Sequence, residues 1–86
     1  MHKYELTVIA RTGTDTHELG RIMKDYGRPR IEKEGNKRLA YSIANQEFGD
    51  YYYVKFEMEE TREKELQSKL DNADWSLRYL LVRTYN

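Results

Sequence analysis

Segments with the apolar spacing of β-strands and segments with the apolar spacing of α-helices follow one another along this chain of 86 residues. Their order constrains the fold more than any other feature. Apolar and polar residues alternate from Tyr4 to Arg11 and from Tyr51 to Met58, and the segment from Trp75 to Arg83 is a third predicted strand, rich in apolar residues. A period of two is typical of β-strands. Because both faces of the first segment carry apolar residues, we expect it to be a central strand.

A helical segment is predicted between the first strand and the next. Asp15 followed by Glu18 resembles a capping box, which predicts that the helix begins there. Gly27 followed by Arg28-Pro29 predicts that a left-handed residue and a proline end it. Its apolar residues are spaced as on one face of a helix and are Leu19, Ile22, Met23 and Tyr26.

The second strand is predicted to be an interrupted edge strand. Residues 30–34 can extend, Gly35-Asn36 allows a turn or bulge, and Lys37–Ile43 resumes the alternation. The polar stretch 45–50, which contains a glycine, is then expected to form the hairpin loop that leads into the strand beginning at Tyr51.

A second helix is predicted from Thr61 to about Asp71, with Leu66 and Leu70 as its apolar stripe. The resulting order, β-α-β-β-α-β, is the ferredoxin-like motif of the α+β class. Right-handed crossovers put both helices on one face of a four-stranded antiparallel sheet, with the first and third strands in the middle. We expect a single domain over residues 1–86, with the other face of the sheet open.

Composition narrows the possible functions. Fifteen Lys and Arg residues balance fifteen Asp and Glu residues, so any contact with RNA has to come from a local patch or a basic partner. The chain has no cysteine, which argues against disulfides and thiolate metal sites. Neither a signal peptide nor an apolar run of about 20 residues is apparent, so we expect a cytoplasmic protein.

No motif in the sequence supports catalysis. His2 and His17 have no second histidine or cysteine at a metal-ligand spacing, so we expect no metal and no cofactor. Acylphosphatase-like enzymes share this topology and bind an anion after the first strand, but here that loop is Thr12-Gly13-Thr14 with only Arg11 beside it. We therefore expect that the chain is not an enzyme.

An aromatic stretch at residues 51–56 is the most suggestive local feature. Alternation sends Tyr51 and Tyr53 to the open face, where rings can stack on bases, and Lys55 with Arg38 could meet phosphates beside them. The stretch overlaps in part the aromatic pattern of RNA-recognition motifs, without its basic residue and glycine. Tyrosine is also an ordinary strand residue, and this reading stays open.

A second candidate feature is a set of cations near the ends of the predicted strands. Sequence alone does not establish whether they converge on one edge, and scattered cations of a neutral protein usually serve solvation. The residues concerned are Lys3, Lys37, Arg38, Arg78 and Arg83.

Three segments resemble the bacterial small-subunit ribosomal protein six family. They are Tyr4-Glu5, the stretch Gly35-Asn36-Lys37-Arg38-Leu39-Ala40-Tyr41-Ser42-Ile43, and Leu77-Arg78 with Val82-Arg83-Thr84. The second is the most specific, because that family typically carries a glycine followed by Arg-Leu-Ala-Tyr-Pro-Ile. Here Ser42 replaces the proline, and the first helix is shorter than is usual in the family.

The resemblance implies a structural constituent of the small ribosomal subunit. It implies binding to the central domain of 16S rRNA together with small-subunit ribosomal protein eighteen. Carried over onto this sequence, it assigns Lys3, Arg38 and Arg78 to rRNA, while Tyr51 and Tyr53 are candidates for the protein partner. A basic partner would explain how a neutral chain binds RNA.

Two alternatives remain open at this point. The first is a stand-alone RNA-recognition module that stacks bases on Tyr51 and Tyr53 beside Lys55. The second is a ferredoxin-like scaffold that binds a protein or small ligand, without nucleic acid. Tyr41 also matches a family position, but we expect it to pack in the core or at the sheet edge.

Overall fold

The computed structural model describes residues 1–85. The last position of the expected domain, Asn86, lies outside the described residues. The elements are β1 (His2–Ala10), α1 (Thr16–Met23), β2 (Gly27–Ile43), β3 (Gln46–Met58), a 3-10 turn (Glu60–Arg62), α2 (Glu63–Asp71) and β4 (Ser76–Thr84). The strands form one antiparallel sheet in the order β2-β3-β1-β4, so the ferredoxin-like architecture with β1 and β3 in the middle is confirmed.

The core lies between one face of the sheet and the two helices. Alternation along β1 and β3 sends every second side chain into it, as the sequence predicted. Leu19 and Met23 of α1 and Leu66 and Leu70 of α2 close the other side. The buried strand residues are Tyr4, Leu6, Val8, Ala10, Tyr52, Val54, Phe56 and Met58.

The first helix begins where predicted but ends earlier. Asp15 caps it, because its Oδ1 accepts a hydrogen bond from the N–H of His17 at 2.9 Å. Glu18 does not complete a capping box, since its carboxylate pairs with Arg21 at 3.3 Å. The helix ends at Met23.

Gly27 is not the left-handed residue that the sequence predicted. The positive φ, +47°, belongs to Arg28, and Gly27 is the first residue of β2. A Cβ at Gly27 would lie 3.0 Å from the carbonyl oxygen of Glu57, so glycine there permits a close approach to β3.

The predicted hairpin loop at 45–50 is wrong, because residues 46–50 belong to β3. A two-residue turn, Ala44-Asn45, joins β2 and β3 with φ angles of +49° and +64°. The predicted interruption of β2 is confirmed, since the register shifts between Lys33 and Gly35, and Gly35 has a φ of +121°. The hairpin therefore extends as a long arm at the sheet edge.

Thr61 does not cap the second helix. It lies inside the 3-10 turn, and the N-cap position of α2 is Arg62, whose side chain makes no capping hydrogen bond. Leu66 and Leu70 are buried as predicted. Among the described residues, no helix is long and apolar enough to cross a membrane.

Candidate RNA-binding surface

The sheet face that the helices leave uncovered carries four of the five predicted site residues, Lys3, Tyr51, Tyr53 and Arg78, while Arg38 lies on the β2–β3 hairpin. Strand register places Arg78, Ile9 and Tyr51 in one row across β4, β1 and β3. Lys3 lies six residues from Ile9 along β1, which corresponds to about 20 Å at about 3.3 Å per residue. Arg78 and Lys3 therefore lie toward opposite ends of this open face.

The arm of the β2–β3 hairpin folds back over the Arg78 end. Arg78 Nη1 donates a hydrogen bond to the hydroxyl of Tyr41 at 2.9 Å, although these residues lie on the two outer strands of the sheet. Leu39, which is itself part of the arm, is buried. A Cβ at Gly49 would lie 2.6 Å from Ile9 Cγ2, which shows how closely the arm packs.

Tyr41 is not packed in the way the sequence suggested. Its side chain is 65% exposed, and its hydroxyl accepts the hydrogen bond from Arg78. The reason is that the arm curls, so its outward residues face solvent rather than another layer. The pair presents a guanidinium and an aromatic ring together on the surface.

Arg38 lies on the same arm as Tyr41. Its guanidinium carbon is 5.5 Å from the centroid of the Phe48 ring, and its Nη2 is 3.6 Å from Glu47 Oε1. Both partners are exposed, so Arg38 belongs to the solvent-facing hairpin rather than to the core. The structure brings Arg38 and Arg78 to one end of the molecule and leaves Lys3 at the other.

Arg83 does not join these cations on the open face. It contacts Glu60 at 3.4 Å and His2 at 2.9 Å, next to the 3-10 turn. The five cations considered from the sequence therefore do not converge on one edge.

Tyr51 and Tyr53 both lie on the open face, as alternation predicted, but their surroundings differ. Tyr51 is half-buried, and Lys37 Nζ lies 5.3 Å from its ring centroid. Tyr53 is 38% exposed and lies opposite Thr7, which in turn lies opposite Leu80. Of the two tyrosines, Tyr53 is the more accessible to a ligand or partner.

Two exposed apolar residues of β4 share the open face with Tyr53, from which β1 separates them, and were not predicted from the sequence. Leu80 is 62% exposed and Val82 is 44% exposed, whereas Tyr79 and Leu81 pack against the core. The run of apolar residues in β4 hid the difference, which only the pairing with β1 resolves. We call Tyr53, Leu80 and Val82 the apolar stripe.

Lys3 lines a shallow concavity of about 530 Å³ at its end of the open face. Arg28, Arg30 and Lys55 line the same concavity, together with the acidic residues Glu5 and Glu57. Arg28 and Arg30 were also missed, since their position depends on a bulge in β2 that the sequence did not locate.

The loop after β1 has no free anion site of the acylphosphatase kind. The N–H of Gly13 donates to Asp50 Oδ2 at 2.9 Å, and Asn36 Nδ2 donates to Asp50 Oδ1 at 3.0 Å. Asp50 is 4% exposed, so a buried carboxylate of the protein already accepts the hydrogen bonds of these two donors. Among residues 1–85, no cluster of three or more potential ligands could hold a metal ion.

The shifted pKa values belong to groups on the helix-covered side. Burial, with a 2.5 Å hydrogen bond to Glu63, raises the pKa of Tyr4 to about 12. Burial and a hydrogen bond to Glu65 likewise raise the pKa of Tyr26. The pKa of the Glu65 carboxyl is lowered by the hydrogen bonds from Tyr26 and Arg62. The hydrogen bonds of these two tyrosines to glutamates of α2 stabilise the packing of that helix on the core.

Comparison with known proteins gives one consistent result. The model of the family described as ribosomal protein S6 matches residues 3–83. The small ribosomal subunit protein bS6 of Alkaliphilus metalliredigens is 32% identical over 91 residues, covering 96% of this chain and 97% of that protein. The protein of the same name from Thermus thermophilus is 28% identical over 93 residues, covering 98% and 92%.

A solved structure extends the similarity to the fold. The crystal structure of 30S ribosomal protein S6 from Thermotoga maritima superposes with a TM-score of 0.79 at 19% identity, covering 96% of this chain and 87% of that one. At this identity the likeness concerns the fold alone.

Proposed function

The chain belongs to the ribosomal protein S6 family, and from this membership we propose that it binds the central domain of 16S rRNA together with small-subunit ribosomal protein eighteen. As a member of the family it is a structural, non-enzymatic protein of the small subunit, located in the cytoplasmic ribosome. The proposal concerns its specific RNA target, its partner and the residues that meet each.

The observation that carries the proposal is the division of the open face. Cations lie toward its two ends, with Arg78 at one and Lys3 at the other, and the apolar stripe lies between them. A surface for RNA alone would need no exposed leucine and valine, such as those that β4 presents at one edge of this face. A surface shared between RNA and a protein suits both features.

The zero net charge of the chain supports the participation of a second protein in RNA binding. With no net charge, the chain offers RNA only local attraction, and each phosphate contact by a cation adds to affinity and to its salt dependence. A basic partner on the apolar stripe would add its own phosphate contacts to those of Arg38, Arg78 and Lys3.

Substitution of Arg78 tests the RNA contact. In the presence of the partner, Arg78→Ala should weaken binding to a central-domain rRNA fragment about tenfold and lower the slope of log affinity against log salt by about 0.7 to 0.9. Lys64→Ala, an exposed lysine of α2, is the control. Equal affinities and slopes for both variants would contradict the assignment of Arg78.

Substitution of Tyr53 tests the partner contact separately. Tyr53→Ala should weaken binding to protein eighteen in the absence of RNA, because an exposed ring on a docking surface is a typical interface anchor. Tyr85→Ala removes an exposed ring outside the open-face strands and should have no effect. Calorimetric titration measures both; an unchanged dissociation constant for Tyr53→Ala would remove Tyr53 from the interface.

Tyr51 suits the same interface as a supporting residue. It is half-buried under Lys37, so we propose that it supports the surface that contacts the partner rather than stacking on a base. Its position also weakens the alternative of a stand-alone module, which requires both rings to be free.

A further inference from the structure

We propose that Lys3, Arg28, Arg30 and Lys55 form a second binding site for backbone phosphates of RNA, at the end of the open face away from Arg38 and Arg78. This inference rests on the proposed rRNA-binding function and deepens it. It adds two arginines of β2 to the proposed RNA-binding residues, and it places Lys3 in a cluster of cations.

The four cations come from three adjacent strands. Lys55 of β3 lies opposite Glu5 of β1 on one side and opposite Arg30 of β2 on the other. Lys3 and Arg28 complete the rim of the concavity of about 530 Å³. The site is shallow and open, which suits an extended polyanion rather than an enclosed small molecule.

Two of these cations have a carboxylate opposite them on the neighbouring strand, Lys3 opposite Glu57 and Lys55 opposite Glu5, but no ion pair forms within the described part of the chain. None of the four lies within 4.0 Å of a carboxylate there, whereas Arg38, Arg62 and Arg83 each do. Glu5 and Glu57 also line the concavity, so the local balance is four positive charges against two negative. The excess attracts an anion, and a concave surface focuses that attraction.

A bulge in β2 is what brings Arg30 to this face. The register passes from Gly27 opposite Glu57 to Arg30 opposite Lys55, so two residues of β2 face one residue of β3. In a regular strand, a one-residue shift would turn Arg30 toward the core side. The bulge also lets Ile31 pack against the core, so it serves folding and the cation cluster together.

Arg28 adds a second observation at the same place. It holds a φ of +47°, a conformation that favours glycine, and yet the residue is an arginine with an exposed side chain. Strained positions of this kind cluster at functional sites, where the side chain matters more than the local cost. A purely structural bulge would be better served by glycine.

Backbone phosphate is the ligand that these features favour. Arginine and lysine bind phosphate oxygens through charge-assisted hydrogen bonds, and the lining contains no exposed aromatic ring that could stack on a base. Such a site would position RNA without reading its sequence. An acidic protein segment is the alternative ligand of this site.

The test uses the chain bound to protein eighteen and a central-domain rRNA fragment. Arg30→Ala/Lys55→Ala should lower affinity at least tenfold and reduce the slope of log affinity against log salt by about 1.4 to 1.8, which corresponds to two lost phosphate contacts. The control, Lys24→Ala/Lys64→Ala, removes the same charge from exposed positions at the end of α1 and on α2 and should leave the slope unchanged. Arg30→Lys should keep most of the slope.

Three results of this experiment would overturn the second phosphate site. If the unmodified complex binds and the Arg30/Lys55 variant, folded by circular dichroism, binds with the same slope, this second site is overturned while the proposed function stands. Loss of affinity for protein eighteen without RNA would also overturn it, in favour of an acidic protein segment. Absence of RNA binding by the unmodified complex would overturn both proposals.

Discussion

At the scale of single residues, Arg28 shows the clearest conflict between backbone stability and the proposed phosphate contact. Its positive φ places Cβ close to the backbone, which costs a non-glycine residue about 1–2 kcal/mol. Arg28→Gly and Arg28→Ala remove the same guanidinium and differ only in the Cβ. The glycine variant should therefore be the more stable, by about 1 kcal/mol after the greater flexibility of its unfolded chain is counted.

Urea unfolding of the two Arg28 variants measures this difference. Both should bind RNA equally weakly, because both lack the positive charge. If the alanine variant were as stable as the glycine variant, the backbone at this position would carry no strain, and one of the two observations behind the second phosphate site would be lost.

Tyr4 makes the stability of the fold sensitive to alkaline pH. Burial and Glu63 raise its pKa to about 12 in the folded protein, against about 10 in the unfolded chain, so the unfolded chain loses this proton first. Its contribution is complete below pH 10 and is lost as the pH rises from 10 to 12. Tyr26 acts in the same direction, because its pKa is raised by burial and Glu65.

Thermal unfolding of Tyr4→Phe between pH 8 and pH 11.5 checks this sign. The variant should be less stable at pH 8, where it lacks the hydrogen bond to Glu63, but its stability should fall less steeply above pH 10. Val8→Ala, a truncation in the same strand and core, should lower stability without changing the slope. Parallel curves for Tyr4→Phe and the unmodified chain would contradict the prediction.

At the scale of elements, the β2–β3 hairpin shows where sequence patterns stop being informative. The strand from Tyr51 onward was predictable because one face meets the helices and is apolar. Residues 46–50 contain one large apolar side chain, Phe48, which is exposed, so their strand conformation left no alternation to detect. Ala44-Asn45 also lacks the Asn-Gly signature that marks two-residue hairpin turns.

The turn itself can be improved. Both of its residues have positive φ, which suits asparagine and glycine better than alanine. Ala44→Asn should raise the free energy of unfolding by about 1 kcal/mol in urea titration. Ala40→Asn, an exposed position of β2 that does not have positive φ, should give no gain, and an equal gain from both would show that the turn conformation is not the cause.

The candidate surface was less predictable than the fold. Alternation assigned Tyr51 and Tyr53 to the open face correctly, because strands with one buried face have a strongly specified register. It could not assign Arg30, whose side depends on a one-residue bulge, nor Leu80 and Val82, which lie in a continuous apolar run. Long-range contacts such as that of Arg78 with Tyr41 have no local signal at all.

At the scale of the whole molecule, the open face and the helix-covered face have separate roles. Ion pairs and tyrosine hydrogen bonds fasten α2 on one side, while exposed cations and the apolar stripe occupy the other. We propose that the chain folds as one domain that presents this surface as a unit. We propose that a chain without net charge binds RNA tightly only when a second protein completes the surface.

The most direct test of this account is a titration of the central-domain rRNA fragment with the unmodified chain, first alone and then with protein eighteen, at two salt concentrations. We expect the rRNA fragment to bind weakly to either protein alone and to bind tightly, with strong salt dependence, to the pair. Tight binding by this chain alone, or no binding by the pair, would contradict it.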